Sequence, residues 1–309
     1  MRREYDYDDA QREQPDRPNA SRGGSGDADA SRAGSADPRE VFTRDLDLPR
    51  GDTRERVFVD ERSYALRGSE ARTLATVGAF RVVPEAHLRE QQASSPTDLR
   101  HLRDLGLVRT VPHVIGKSRT TLVTLTESGR DVLESARRGD HRDGGQRFYA
   151  GISKQRELTH DAHVYRAYRH ASERLVGRGA HIRRVVLDDE LKRDYQRFLQ
   201  ESNRGRRDAD GRPDRHADEI AEWAAANHLP MIDDHVQFPD VRIEYERPDG
   251  RMDHDDLELA TEQYNTRQMA AKQAAGFHMH GSQAGRLGGA KARGGASPFD
   301  PRAAEQVLR

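Results

Sequence analysis

The chain of 309 residues contains no cysteine, which excludes disulfide bonds, thiolate catalysis and cysteine-ligated zinc. It also lacks any run of about 18 apolar residues, so we expect no transmembrane helix. Residues 1–10 are acidic and polar where a signal peptide needs an apolar stretch, and a cytoplasmic location is therefore expected. The mean hydropathy is low, at -1.00, which indicates that only part of the chain folds around a core.

Lysine is also scarce, because only five of the 52 basic residues are lysines and the others are arginines. The formal net charge is -1, so the total charge neither favours nor excludes a nucleic-acid partner. The distribution of the arginines is more informative, since their planar guanidinium group suits phosphates and guanine edges.

Composition divides the chain into five segments. Residues 1–55 and 282–309 are rich in Gly, Ser, Asp and Arg and poor in aliphatic residues, so we predict that they are disordered tails. Residues 56–140 and 153–281 carry the periodic apolar patterns that are typical of folded domains. Residues 141–152 are predicted to be the linker between them.

The first folded segment has the element order of a winged helix-turn-helix. Two helical patterns precede a third helix, which begins near the sequence Ser94-Ser95-Pro96-Thr97. Leu99, Leu102 and Leu105 form one apolar stripe on this helix, and Gly106 ends it. Two strands joined by a basic turn and a closing helix complete the pattern.

The same segment contains the order Leu-x-x-Leu-x-x-Leu-Gly-Leu-Val, then a basic turn, then Leu-Thr-x-x-Gly-Arg. In this order it resembles the winged helices of the multiple-antibiotic-resistance regulator (MarR) family. The resemblance implies that the third helix and the hairpin contact DNA.

The predicted recognition helix and the predicted hairpin turn are both basic. A basic helix suits the major groove, and a basic turn can reach phosphates or the minor groove. The predicted DNA-binding residues are Arg100, Arg103, Arg109, Lys117 and Arg119. Asp98 and Asp104 are the acidic residues of the same stretch. The alternative is a winged helix that contacts protein and whose arginines are only hydrated.

The second folded segment alternates helices and strands. The predicted helices are 159–177, 188–201, 220–226 and 263–275, and the predicted strands are 180–187, 236–245, 256–260 and 277–280. Pro248-Asp249-Gly250 is a turn signal that joins two of these strands as a hairpin. Together the two segments predict an α+β protein, a winged helix followed by a small α/β domain.

Several residues of the second segment form a pattern: His160-Asp161, Pro239-Asp240, Glu258, Glu262, Tyr264, Lys272 and Gly276-Phe277. With this pattern the segment resembles the PD-(D/E)XK nuclease-like superfamily, whose fold is that of restriction endonucleases. Joined to a winged helix, it resembles the replication-relaxation proteins of mobile elements. The resemblance implies double-stranded DNA as the partner and a role in the replication or mobilisation of plasmids and other mobile elements.

Asp240 and Glu258 are the predicted catalytic and metal-binding carboxylates. Two carboxylates on neighbouring strands can hold Mg²⁺, which activates water and neutralises charge in phosphodiester hydrolysis. The lysine that usually follows the acid by two residues in this family is replaced by Ala260, so we assign its role to Lys272. Glu173 is the candidate for a third acid. Mg²⁺ is the expected cofactor only if the site is active; the alternatives are a structural acid pair and an inactive relative that binds DNA without cutting it.

A histidine triplet offers another interpretation. His278-Met279-His280 matches the His-hydrophobe-His triplet of relaxases, in which a tyrosine, here Tyr264, attacks the phosphate. Relaxases place a whole sheet between that tyrosine and the triplet, whereas only one helix is predicted between them here. We therefore do not assign this activity.

Two other functions remain open from the sequence. A MarR-like transcriptional regulator with a C-terminal sensing or dimerisation domain would bind a palindromic site as a homodimer, with half-sites about one helical turn apart. A scaffold protein of a transfer complex would contact other mobilisation proteins. Metal-dependent cleavage of DNA would distinguish a nuclease from both.

Overall fold

The computed structural model describes residues 38–90, 95–138, 145–152, 154–201, 203–204, 215–260 and 266–281. These residues belong to one compact unit. They form both helices and strands, which confirms the mixed α and β composition of the fold. None of the helices in these ranges combines the length and the apolar character needed to span a bilayer. The predicted tails lie outside the described residues from 1 to 37 and from 282 to 309.

The first part of the described chain consists of helices and short antiparallel sheets. Its elements are a 3-10 helix Pro38–Phe42, β1 Glu55–Val59, β2 Arg62–Leu66, α1 Gly68–Ala79, β3 Val83–Pro84, α2 Glu85–Glu90, α3 Pro96–Asp104, β4 Val108–Ile115, β5 Ser118–Leu125 and α4 Glu127–Ser135. β4 and β5 form the predicted hairpin, and β3 pairs with β5. The β1–β2 hairpin was not predicted.

Residues 38–55 pack into the core, so the predicted boundary of the N-terminal tail is wrong. Phe42, Leu46 and Leu48 are buried, and the ring of Phe42 lies edge-on against Phe80 at 5.6 Å between centroids. A few apolar residues in a polar stretch form no periodic pattern, and composition alone therefore classifies them as tail.

The limits of α3 follow from its local sequence. The Oγ of Ser95 accepts a hydrogen bond from the backbone N–H of Thr97 at 3.2 Å, which satisfies one donor at the start of the helix. Pro96 occupies the first turn, where its missing N–H costs nothing. Gly106 follows the helix with φ +70°, a left-handed conformation that glycine adopts readily. The predicted start and end of this helix are confirmed.

The predicted linker, residues 141–152, is packed against the sheet in the part that the structure describes. The side-chain amide of Gln146 binds both backbone groups of Val185: its Oε1 accepts from the N–H and its Nε2 donates to the C=O, each at 2.9 Å. Phe148 is buried. These contacts join residues that lie far apart along the chain, so the local sequence gives no sign of them.

The second part of the described chain is a sheet with helices packed around it. Its elements are a 3-10 helix Gln155–Glu157, α5 Leu158–Val176, β6 His181–Leu187, α6 Asp188–Glu201, α7 Ala217–Ala226, β7 Met231–Ile232, β8 His235–Val236, β9 Val241–Glu246, β10 Met252–Ala260, α8 Thr266–Ala274 and β11 His278–Gly281. The strand order is β11-β10-β9-β6. β9 is antiparallel to both of its neighbours, whereas β11 is parallel to β10. The predicted hairpin of β9 and β10 is confirmed.

The predicted strand 236–245 is interrupted. Its first residue belongs to β8, which pairs with β7, and β9 begins only at Val241. Pro239 lies in the gap and has no N–H to donate to a sheet. As a result, Asp240 precedes β9 instead of lying within it.

The two parts share one hydrophobic core. Phe80, at the end of α1, contacts two aromatic rings of α5: its centroid lies 5.0 Å from that of Tyr165 and 4.8 Å from that of Tyr168. The same helix, α5, covers the sheet face that carries Leu257 and Leu259 of β10. Packing of large rings at these distances stabilises the contact between α1 and α5.

Candidate functional site

The exposed side of α3 is the first candidate surface. Leu99 and Leu102 bury one side of the helix, and Arg100 and Arg103 are exposed. The spacing of three residues places both guanidinium groups on the same side. The arrangement is the one that the apolar stripe predicts.

Asp98 does not lie on this surface, although it belongs to the predicted recognition helix. It is 1% exposed, and the Nε of Arg67 donates to its Oδ1 at 3.1 Å. That hydrogen bond raises the pKa of Arg67. The backbone N–H of Arg67 donates to Glu70 at 3.0 Å, and Arg54 binds the same carboxylate at 2.6 Å. This network ties α1 to α3 and removes one negative charge from the exposed side of α3.

The β4–β5 hairpin is the second part of the surface. Ile115 pairs with Ser118, so Gly116 and Lys117 form a two-residue turn. Gly116 has φ +60°, which a residue with a side chain rarely adopts. Lys117 is therefore at the tip of the hairpin, with Arg119 beside it on β5.

The structure exposes all five predicted DNA-binding residues, which we call the α3–hairpin cations: Arg100, Arg103, Arg109, Lys117 and Arg119. None of them forms an ion pair with a carboxylate of the described residues. Between residues 95 and 120 the only exposed acid is Asp104. Arg109 lies at the base of the hairpin, opposite Thr124 of β5, while Lys117 is at the tip. Four of the five cations thus belong to α3 or to the tip region of the hairpin.

Asp240 is held by a backbone group and a histidine. Its Oδ2 accepts a hydrogen bond from the N–H of Leu259 at 2.7 Å. Its Oδ1 lies 3.1 Å from the Nε2 of His160, in the first turn of α5. Asp240 therefore connects the end of β10 to the start of α5.

His160 lies between two carboxylates, since its Nδ1 is 3.4 Å from Asp161 and its Nε2 is close to Asp240. Burial acts to lower the pKa of His160, but the hydrogen bonds and charges of the two aspartates outweigh it and raise the pKa to about 10. His160 is consequently a cation at neutral pH, and its charge compensates that of Asp240.

Arg81 extends this network to the other part of the molecule. It follows α1 with φ +60° and lies 3.5 Å from Asp161, 3.1 Å from Asp188 and 2.5 Å from Asp189. Burial acts to lower the pKa of Arg81, but the three aspartates outweigh it and raise the pKa. The residue therefore joins the end of α1 to the starts of α5 and α6 through charge.

Glu258 is paired with Lys272, the predicted substitute for the lysine of the nuclease-like pattern. It is 2% exposed, and the Nζ of Lys272, on α8, pairs with its Oε1. Lys272 also lies 5.4 Å from the ring centroid of Phe277, a cation–π distance. The structure thus brings Glu258 and Lys272 together in a buried ion pair.

The arrangement of the described residues does not favour a magnesium site. Both oxygens of Asp240 face donors, a backbone N–H and the His160 cation, and the charge of Glu258 is compensated by Lys272. Mg²⁺ needs carboxylate oxygens that are open to the ion and room for its waters. In the ranges that the structure describes, no group of three or more His, Asp or Glu side chains is arranged to hold a metal ion. We derive no hydrolytic step from this site.

The remaining predicted site residues are dispersed. Glu173, the candidate third acid, is exposed on α5 at 3.7 Å from Arg169, and its assignment stays a prediction. His278 of the relaxase-like triplet contacts Asp255. Glu262 and Tyr264 lie outside the described residues.

The partners of Asp98, His160 and Asp240 were not predicted from the sequence. A signal for Asp98 was available: Ser95-x-x-Asp98 is a capping-box pattern, and the Oδ2 of Asp98 does accept from the N–H of Ser95 at 3.3 Å. No local signal connects His160 to Asp240, because the two residues meet only when α5 packs on the sheet.

No family model, no curated protein and no solved structure matches this chain. Function is therefore inferred from the geometry above, with the resemblances of the sequence as its context.

Proposed function

We propose that this protein binds double-stranded DNA through α3 and the β4–β5 hairpin, with α1, α2 and α3 forming a winged helix-turn-helix. In this interpretation α3 enters the major groove and the hairpin tip contacts a phosphate or the minor groove. The observation that carries the proposal is the exposure of the α3–hairpin cations without partner carboxylates among the described residues.

The lack of partners matters because of what binding costs. An arginine already paired with a carboxylate must break that pair before it contacts a phosphate. An unpaired, hydrated arginine loses only part of its hydration, and each phosphate that it neutralises releases counterions from the DNA. Arg67 holds Asp98 inside the fold, so this negative charge does not compete with a phosphate for the α3–hairpin cations.

We propose further that the second part is a non-catalytic relative of the nuclease-like fold. Its two predicted catalytic acids are compensated by His160 and Lys272, which favours a structural role for both. The resemblance to replication-relaxation proteins supports a role in the replication or mobilisation of a plasmid or another mobile element. The second part then stabilises the DNA-binding part through the hydrophobic core that they share.

The test is a salt titration of binding to a short duplex, read by fluorescence anisotropy. Arg100→Ala and Arg119→Ala should each weaken binding by about threefold to tenfold and reduce the slope of log K against log salt by about 0.9, the value for one phosphate contact. Arg251→Ala is the matched control, because Arg251 is 79% exposed and lies in the β9–β10 turn region. Titrations of both variants that overlay the parent would contradict the proposal.

The full chain should also be incubated with supercoiled plasmid and Mg²⁺. We expect no nicking. Cleavage that requires Mg²⁺ and is lost in Asp240→Ala would overturn the non-catalytic interpretation while leaving the DNA-binding proposal intact.

A further inference from the structure

A small cavity lies between α5 and the ends of two parallel strands. Its volume is about 160 Å³, and we call it the histidine pocket. Its lining consists of His163, Arg166, Ala167 and His170 of α5, Leu259 of β10, and His280 and Gly281 of β11.

The pocket is built from one face of a helix and the edge of the sheet. Positions 163, 166, 167 and 170 fall on one side of α5, since three, four and seven residues complete one or two turns. Leu259 and His280 are opposite each other in the parallel pairing of β10 and β11. His163 and His170 lie two turns apart on α5, and only folding brings His280 of β11 next to them.

Among the residues that the structure describes, the lining contains donors and no carboxylate. Arg166 forms no ion pair with an acid of the described residues. Burial lowers the pKa of His163, and the charge of Arg166 lowers it further. Burial likewise lowers the pKa of His280. Both imidazoles are therefore neutral at pH 7, and each can donate one N–H to an anion beside the permanent charge of Arg166.

The acid whose charge acts on the pKa of His280, Asp255, is already compensated. Asp255 pairs with Arg174 and with His278. These two partners compensate the charge of Asp255, so the positive charge of Arg166 in the pocket is not neutralised by it.

Size and donor chemistry together select the ligand. A volume of about 160 Å³ leaves room for a group of the size of a phosphate. A planar guanidinium group binds two oxygens of a phosphate at once. Within the described residues these histidines are not arranged as metal ligands.

We propose that the histidine pocket binds one phosphate group, held by Arg166 with His163 and His280 as further hydrogen-bond donors. The phosphate can belong to a nucleic-acid backbone or to a small phosphorylated molecule, and both share this chemistry. The site lies outside α3 and the hairpin, so it goes beyond the proposed DNA-binding surface and does not depend on it.

The test is a titration of the full chain with inorganic phosphate at constant ionic strength, followed by the NMR signals of the histidine rings. The signals of His163 and His280 should shift in a saturable way, with a dissociation constant on the order of 1 mM. Arg166→Gln should weaken binding by about tenfold, since it removes a charged hydrogen-bond donor. Arg178→Gln, which changes another exposed arginine just after α5, should leave the titration unchanged.

Two results would overturn the proposal: no saturable shift, or the same titration curve in Arg166→Gln and the parent. If Arg166→Gln fails to fold, His280→Gln provides the second variant, with the same expected loss. Unfolding curves of each variant establish whether the fold is intact.

A second arm identifies the source of the phosphate. If Arg166→Gln also weakens binding to the short duplex, the pocket takes a backbone phosphate. If duplex affinity is unchanged while phosphate binding is lost, the ligand is a small phosphorylated molecule. Loss of duplex binding in Arg100→Ala with an unchanged phosphate titration would separate this site from the DNA-binding surface.

Discussion

Arg242 in the sheet and Arg103 on α3 are the same type of side chain in opposite surroundings. Arg242 is buried and binds Asp256 with two hydrogen bonds, at 2.7 and 2.8 Å. It also donates to the carbonyls of Asn227 and His228 after α7, at 2.8 and 2.9 Å. Arg103 is exposed and pairs with no acid of the described chain.

The contrast extends to neighbouring residues. On the sheet, cross-strand register places arginines opposite acids: Arg242 faces Asp256 and Arg184 faces Glu244. On α3 one of the two acids close to the arginines in sequence, Asp98, is directed inwards, and the other, Asp104, is exposed without an ion pair to a described residue. Arginines in the sheet are therefore bound to acids within the fold, whereas those on α3 and the hairpin are available for a ligand.

Arg242→Ala tests the structural side of the comparison and should have the largest effect. It leaves the buried Asp256 and two carbonyls without their donor, so the free energy of unfolding should fall by about 3–5 kcal/mol. Urea denaturation measures this loss. The exposed pair of Arg251 with Asp249 is the control, and Arg251→Ala should cost less than about 1 kcal/mol.

A double variant sharpens this result. Arg242→Met combined with Asp256→Leu removes both charges, and it should be more stable than the sum of the two single changes predicts. Additive losses would show that the two charges do not stabilise each other.

The pH dependence of stability tests the His160 network and should give an intermediate effect. The pKa of His160 is about 10 in the folded protein and about 6.5 in the unfolded chain. Because the folded state holds the proton more tightly, the contribution is fully present below about pH 6.5 and is lost as the pH rises through about 10. The unfolding free energy should therefore decrease over that range, by on the order of 3 kcal/mol for a partly exposed group.

His160→Gln should remove this part of the pH dependence, because glutamine donates a hydrogen bond but does not titrate. The measurement is a series of denaturation curves from pH 6 to pH 10 for both proteins. If the unfolding free energies of the parent and His160→Gln change by the same amount over this pH range, the raised pKa of His160 is contradicted.

Variants on the exposed side should have the smallest effect on stability. Arg103→Ala and Lys117→Ala should each change the unfolding free energy by less than about 0.5 kcal/mol, the usual range for surface substitutions. Each should nevertheless weaken duplex binding. A substantial loss of stability would mean that these side chains have a structural role and would weaken the contrast with Arg242.

Much of the local structure could be predicted from the sequence. The stripe of Leu99 and Leu102, the cap at Ser95 and the stop at Gly106 are signals within one helix, and α3 follows them. The turn at Gly250 likewise predicted the β9–β10 hairpin. These features depend on neighbouring residues, whose interactions are short in range.

The candidate site was only partly predictable. Exposure of Arg100 and Arg103 follows from helical spacing, but the pairing of Asp240 with His160 and of Glu258 with Lys272 does not. Composition also assigned Phe42 to a tail, since its contacts with Phe80 and Tyr168 come from residues far along the chain.

By itself the sequence determined where α3 and the β4–β5 and β9–β10 hairpins form and which cations α3 presents, because period, caps and turns act between residues a few positions apart. Tertiary structure alone decided which carboxylates are compensated and which arginines are buried beside them. That outcome depends on which elements pack together, and the charge of a buried acid is balanced by whichever cation the packing brings within a few ångströms.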